Sequence, residues 1–162
     1  MTDCTTDTMF RILGIDHLVL RSADVDALRR FYVDVLGCSV EREQTDLGLT
    51  QLRAGSGLID LVALDGPLGR AGGAGPGTEG RNLDHFCLRI DPFDPDAVRA
   101  QLARHGVDAG EVAQRFGAEG KGPSLYVSDP DGNVVELKGP PTPVPAPRSR
   151  PRRHAGWSGS SA

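Results

Sequence analysis

The heptapeptide at residues 15–21, Ile-Asp-His-Leu-Val-Leu-Arg, recurs at residues 83–89 as Leu-Asp-His-Phe-Cys-Leu-Arg. Asp16/Asp84, His17/His85, Leu20/Leu88 and Arg21/Arg89 are identical, and the remaining positions pair apolar with apolar. Each copy reads as a strand, because strand side chains alternate between two faces. Asp16, Leu18 and Leu20 then share one face, as do Asp84, Phe86 and Leu88. The opposite face carries His17, Val19 and Arg21 in the first copy and His85, Cys87 and Arg89 in the second. A histidine alone in a strand is ordinarily a satisfied core or edge residue. The same histidine in both copies points to a duplicated module whose two equivalents converge on one site.

The order of elements repeats as well. After the first strand, Ser22 and Asp24 offer helix caps, and Val25, Leu28, Tyr32 and Val35 recur at helical spacing over about residues 24–36. Gly37 is placed to end that helix. Strands are expected at 38–43, 49–54 and 58–64, which makes the first module β-α-β-β-β. Residues 65–81 are rich in glycine, contain Pro67 and Pro76, and read as a flexible linker. They lack the Gly-Lys-Ser/Thr of a phosphate loop. In the second module, strand 83–90 precedes a helix capped by Asp94 with Pro95 at its first position and Gly106 at its end. Strands at 112–116, 124–128 and 134–138 follow. A mobile loop at 117–123 contains Lys121, and Asp129-Pro-Asp-Gly-Asn133 is a turn signal.

Charge and composition exclude several functions. The segment after Lys138 has four arginines and no acid, so residues 1–138 carry −8 of a chain whose net charge is −4. An acidic body argues against general nucleic-acid binding. No apolar run approaches membrane-spanning length, and the polar start has no signal-peptide pattern, so neither membrane nor export is expected. Cys4, Cys38 and Cys87 are odd in number and widely spaced, which fits reduced thiols in the cytoplasm. Residues 1–11 and the Pro/Arg-rich stretch 140–162 are expected to be disordered, and Met9 is an alternative start. One folded domain at 12–139 remains, with modules 12–65 and 82–139.

The last strands of the modules should also correspond, pairing Asp60 with Glu136. Each carboxylate sits between apolar neighbours, where an unpaired charge is costly to bury and a cation removes the cost. His17, Asp60, His85 and Glu136 together form a nitrogen/oxygen set that suits a divalent ion: Zn, Ni, Co, Mn or Fe.

Two β-α-β-β-β modules, a ligand-type histidine opening each, and Asp-Pro-Asp-Gly-Asn-x-x-Glu-Leu closing the second resemble the vicinal oxygen chelate superfamily. Its members include glyoxalase I, fosfomycin-resistance thiol transferases, extradiol dioxygenases and bleomycin-resistance proteins. The resemblance implies an α+β fold, a cup-shaped, incomplete mixed β-barrel with ligands pointing inward. His17, His85 and Glu136 match the ligand positions of metal-dependent members. Asp60 matches a position where glyoxalase I has a longer acidic ligand, which leaves open whether Asp60 ligates. The implied function is a metal-dependent lyase or isomerase chelating a small substrate through vicinal oxygens, in a homodimer. Glu136, then Asp60, would move the proton; Arg21, Arg89 and Lys121 are candidate binders of an anionic substrate. The competing readings are an Fe(II) dioxygenase or thiol transferase using two histidines and one carboxylate, and a metal-free drug-sequestering protein.

Overall fold

The computed structural model describes residues 11–143. Expectations for residues 1–10, including Cys4 and the alternative start at Met9, and for 144–162 lie outside them. The elements run β1 (His17–Ser22), α1 (Val25–Arg30) continued by a π-helical turn (Phe31–Val35), β2 (Ser39–Gln44), β3 (Leu49–Ala54) and β4 (Gly57–Ala63). A short α2 (Pro67–Ala71) follows, then β5 (His85–Arg89), α3 (Pro95–Arg104), β6 (Ala113–Gly117), β7 (Gly120–Ser128) and β8 (Val134–Lys138).

The strands form two open mixed sheets of identical topology, β1-β4-β3-β2 and β5-β8-β7-β6. In each, the first strand pairs in parallel with the last, and the other neighbours are antiparallel. The α+β class and the two expected modules are therefore present. Helix α1 starts where Asp24 accepts a hydrogen bond from the Ala27 amide at 2.9 Å, and α3 starts where Asp94 accepts from Asp96 and Ala97. Leu28, Tyr32 and Val35 are buried as their spacing requires. Phe31 is buried too: the π turn, closed by the Leu36 amide on the Phe31 carbonyl, widens the winding and turns both aromatic rings inward.

One apolar core unites the modules. It contains Leu20, Leu28, Tyr32, Leu52, Ile59 and Leu61 from the first, with Leu102, Leu125, Val127, Val135 and Leu137 from the second. Each such fully buried aliphatic side chain contributes about 1.5–3 kcal/mol relative to exposure. The Tyr32 ring stacks on Phe86 with centroids 6.5 Å apart, and its hydroxyl donates to Asp129 at 2.8 Å. Asp129 also accepts from the amides of Asp131 and Asn133 and from the Asn133 side chain. The Asp-Pro-Asp-Gly-Asn turn is thus bolted to the helix of the other module.

Two segments differ from expectation. The linker is not featureless: Pro67 opens α2, and Arg21 gathers the carbonyls that follow it. The loop expected at 117–123 is mostly hairpin, since residues 120–123 pair with 114–117. Gly-Lys-Gly-Pro carries no alternation, so only its partner strand decides the pairing. Of the terminal stretch, the Thr142 amide still donates to the Lys121 carbonyl.

Candidate functional site

Strand register assigns every candidate to a face. In the parallel pair β1/β4, Val19 lies beside Asp60 and Arg21 beside Val62, so His17, Val19 and Arg21 share the face of Asp60. In β5/β8, Cys87 lies beside Glu136, so His85, Cys87 and Arg89 share the face of Glu136. The opposite faces supply the core. The two histidine-bearing faces therefore look outward from it.

In the first module, His17 Nδ1 lies 2.7 Å from Asp16 Oδ1. This hydrogen bond raises the imidazole pKa; partial desolvation opposes the shift, and the nearby Asp60 charge adds to it. Asp60 is 6% exposed, and Gln51 Nε2 donates to both of its oxygens, at 3.2 and 3.0 Å.

The second module repeats the pattern. His85 Nδ1 lies 2.7 Å from Asp84 Oδ2, and its Nε2 approaches Glu136 Oε2 at 3.5 Å. Glu136 is also 6% exposed, and its Oε1 is buried with no hydrogen-bond partner. Cys87, whose thiol is pushed up to about 11 by burial and then by the Glu136 charge, stands beside it. Alternation puts Asp16 and Asp84 on the leucine face, yet both bond their neighbouring histidine. The strands start at the histidines, so each aspartate side chain sits at the strand's edge and turns back to its neighbour, even though the Asp16 carbonyl still accepts from the Leu58 amide. The signal was present in the sequence as a twice-repeated Asp-His pair.

An aspartate on Nδ1 holds that nitrogen as the donor and leaves Nε2 as a lone pair, the usual outer-shell arrangement for a metal-binding histidine. At His85, Nε2 approaches a buried carboxylate whose other oxygen is orphaned, so a cation held between them would offset the buried charge. The donor set thus fits a divalent ion. Within one chain, however, His17/Asp60 and His85/Glu136 remain two separate pairs: no group of three or more ligand-type side chains able to hold an ion occurs among the described residues. The convergence expected from the repeat does not happen inside one chain, because the shared core draws the leucine faces together.

The expected anion binders are placed differently from the ligand pairs. Arg21 donates to the carbonyls of Gly69, Gly72, Gly73 and Ala74 at 2.6–3.2 Å, and a Cβ at Gly72 would stand 2.6 Å from the guanidinium. Arg89 pairs with Glu119 at 2.6 Å and donates to the Ile90 carbonyl. Both repeated arginines therefore anchor loops: Nη1 and Nη2 of Arg21 and Nε and Nη1 of Arg89 donate to protein oxygens, while Arg21 Nε is buried without a partner. Lys121 is exposed and opposes Phe116, on the face of β7 away from Glu136. Sequence reasoning missed Gln51, Arg115 and Tyr126, which join the site faces through register alone.

Two open β-α-β-β-β sheets, each presenting an Asp-His pair beside a buried carboxylate, define a glyoxalase-like fold. The model of the Glyoxalase/Bleomycin resistance protein/Dioxygenase superfamily matches residues 14–137, and the chain belongs to that superfamily. The glyoxalase domain-containing protein RDO1 of Mycosarcoma maydis is 34% identical over 128 residues, covering 78% of this chain and 68% of that protein. The virulence protein STM3117 of Salmonella typhimurium is 28% identical over 129 residues, covering 76% and 81%. Its crystal structure superposes with a TM-score of 0.64 at 27% identity over 81% of this chain and 99% of that one. TnmS3, an antibiotic binding protein from Streptomyces sp. CB03234, has a TM-score of 0.58 at 25% identity, covering 81% and 98%. No helix among the described residues is long and apolar enough to cross a membrane.

Proposed function

We propose that this protein is a divalent-metal-dependent, glyoxalase-like lyase or isomerase, acting as a homodimer on a small substrate with vicinal oxygens. The observation that carries the proposal is the His85–Glu136 pair: an imidazole Nε2 and a buried carboxylate 3.5 Å apart, with one carboxylate oxygen unpartnered. The outward His17–Asp60 face of one copy meets the His85–Glu136 face of a second, which completes a ligand set that one chain leaves divided. Half-exposed Val19, on the His17–Asp60 face, supplies apolar surface for that contact. Its cytoplasmic setting is part of the proposal and rests on the unpaired thiols of Cys38 and Cys87.

His17, His85 and Glu136, with Asp60 as the fourth candidate, would hold the ion. When bound, the ion supplies positive charge against which adjacent substrate oxygens become more acidic and more stable as oxyanions. Glu136 does the proton work. Its orphaned Oε1, in a water-poor setting, is the free base that removes a substrate proton and returns it. Asp60 is steadied by Gln51, and Asp16 and Asp84 fix the imidazole tautomers.

Elemental analysis of the purified protein beside Asp60→Ala and His85→Ala, together with solution mass, tests this. Stoichiometric metal and a dimer are expected, with metal lost in His85→Ala. Loss in Asp60→Ala as well supports the four-ligand, glyoxalase-type site. Retention there leaves two histidines and a carboxylate and shifts the chemistry to dioxygenase or thiol transferase. No metal after reconstitution overturns the enzyme reading and leaves a sequestering protein, the reading that the likeness to antibiotic-binding TnmS3 favours.

A further inference from the structure

The His85–Glu136 face carries a second constellation outside the expected ligand set. Register puts Tyr126 beside Glu136, Ser124 beside Lys138, and Arg115 beside Gly122, so all project from one face. The Arg115 guanidinium carbon lies 4.4 Å from the centroid of the Tyr126 ring. Its Nη1 donates to the Ser124 carbonyl at 2.8 Å and to the Ser124 hydroxyl at 3.1 Å. Nε and Nη2, the other edge of the fork, have no protein acceptor among the described residues. The same ring meets His85 in an edge-to-face arrangement, with centroids 5.3 Å apart and planes at 79°.

The charge balance of this patch is unusual for an acidic protein. Arg89 is neutralised by Glu119, whereas Arg115 and buried Lys138 have no carboxylate partner among the described residues. Lys138 is spent on the carbonyls of Arg115 and Gly122. Arg115 is half-buried, lies over an aromatic ring with its guanidinium carbon 4.4 Å from the centroid, and keeps one edge of its fork without a protein acceptor among the described residues. A planar guanidinium so fixed matches a carboxylate through two parallel hydrogen bonds, with little ordering left to do on binding.

We propose that Arg115, seated on Tyr126, is the subsite that takes a carboxylate group of the substrate, and so sets specificity for small carboxylic acids. This rests on the reading of the adjacent His85–Glu136 pair as the reacting site. The carboxylate docks on the Nε/Nη2 edge while the reacting oxygens lie toward His85.

The test titrates the full-length protein, as purified and again after EDTA treatment, with benzoate and with uncharged, isosteric benzamide, read by NMR chemical shifts. Saturable benzoate shifts around Tyr126 are expected with and without metal, and none from benzamide. Arg115→Gln should weaken benzoate about tenfold or more, the loss of one charge-assisted contact. Its metal content should match wild type. Equal response to benzoate and benzamide, or an unchanged benzoate affinity in folded Arg115→Gln, overturns the proposal. Tighter binding of phenylphosphonate than benzoate overturns the carboxylate assignment in favour of a tetrahedral oxyanion. If Arg115→Gln does not fold, Arg115→Lys decides: full benzoate affinity there would show that charge without the fork suffices, against the proposal. Arg115-dependent benzoate binding in a protein that never takes up metal would sink the catalytic reading and leave the subsite standing.

Discussion

Asp60 and Glu136 occupy equivalent places in the two sheets, yet their partners differ. Gln51 donates to both oxygens of Asp60, whereas one oxygen of Glu136 has no partner. A buried carboxylate stripped of its donor loses its compensation for desolvation. Gln51→Leu, which keeps bulk and removes the amide, should therefore destabilise the metal-free protein by about 1–3 kcal/mol. Urea unfolding measures this. If Asp60 ligates, added metal should recover most of the loss; a difference from wild type that saturating, bound metal leaves unchanged would count against Asp60 as a ligand. The equivalence of the two histidines was readable from the repeat. Their aspartate partners were not, because alternation was extended one residue beyond the point at which each strand starts.

At the scale of elements, the linker and the hairpin show how a backbone is shaped by what it must clear. Gly69 in α2 lies against β4 so closely that a Cβ would stand 2.0 Å from the Ala63 carbonyl oxygen. No rotamer relieves a backbone contact, so the helix itself must shift. Gly69→Ala should cost about 1–3 kcal/mol by overpacking, while Gly77→Ala, where nothing lies within 4 Å, should be neutral or slightly stabilising. Parallel thermal melts check the pair; equal effects would mean that α2 does not pack on β4 as described. Both repeated arginines act at this scale. Arg21 fastens the chain after α2 and Arg89 fastens the β6–β7 hairpin through Glu119, so each module uses its arginine to hold a loop at one end of its site face.

At the scale of the whole molecule, a buried polar link joins the modules through the common core, Tyr32 to Asp129, beside the outer contact of Gln101 Nε2 on the Val35 carbonyl. Burial, and then the Asp129 charge, raise the Tyr32 phenol far above its ordinary value of 10.0. The folded state therefore keeps this proton at a pH where the unfolded chain releases it. The stabilisation is fully present below about pH 10 and is lost progressively above it. Tyr32→Phe should lower stability by about 1 kcal/mol at neutral pH, toward the small end because Asp129 keeps three other donors. It should also flatten the alkaline fall, since phenylalanine has no proton to lose. Unfolding free energies between pH 7 and 11 measure both; parallel curves for the two proteins would contradict the buried hydroxyl.

Much of this architecture is local and was legible in the order of residues. Caps at Asp24 and Asp94, the glycine at 37, alternation in β1, β4, β5 and β8, and the Asp129 turn all act within a few residues, so periodicity and turn chemistry determine them. The repeat determined that there are two modules and which side chains are equivalent. Distance in the chain defeated the rest. Residues 120–123 became strand only because 114–117 lie beside them, and Arg21 and Arg89 became loop anchors only because distant oxygens reached them. The direction of each histidine face was likewise decided in three dimensions. Residue order alone made clear which residues are equivalent and which are of ligand type. Tertiary packing alone decided that the leucine faces meet in one core, and the same burial turned the two histidine–carboxylate pairs outward and apart within the chain.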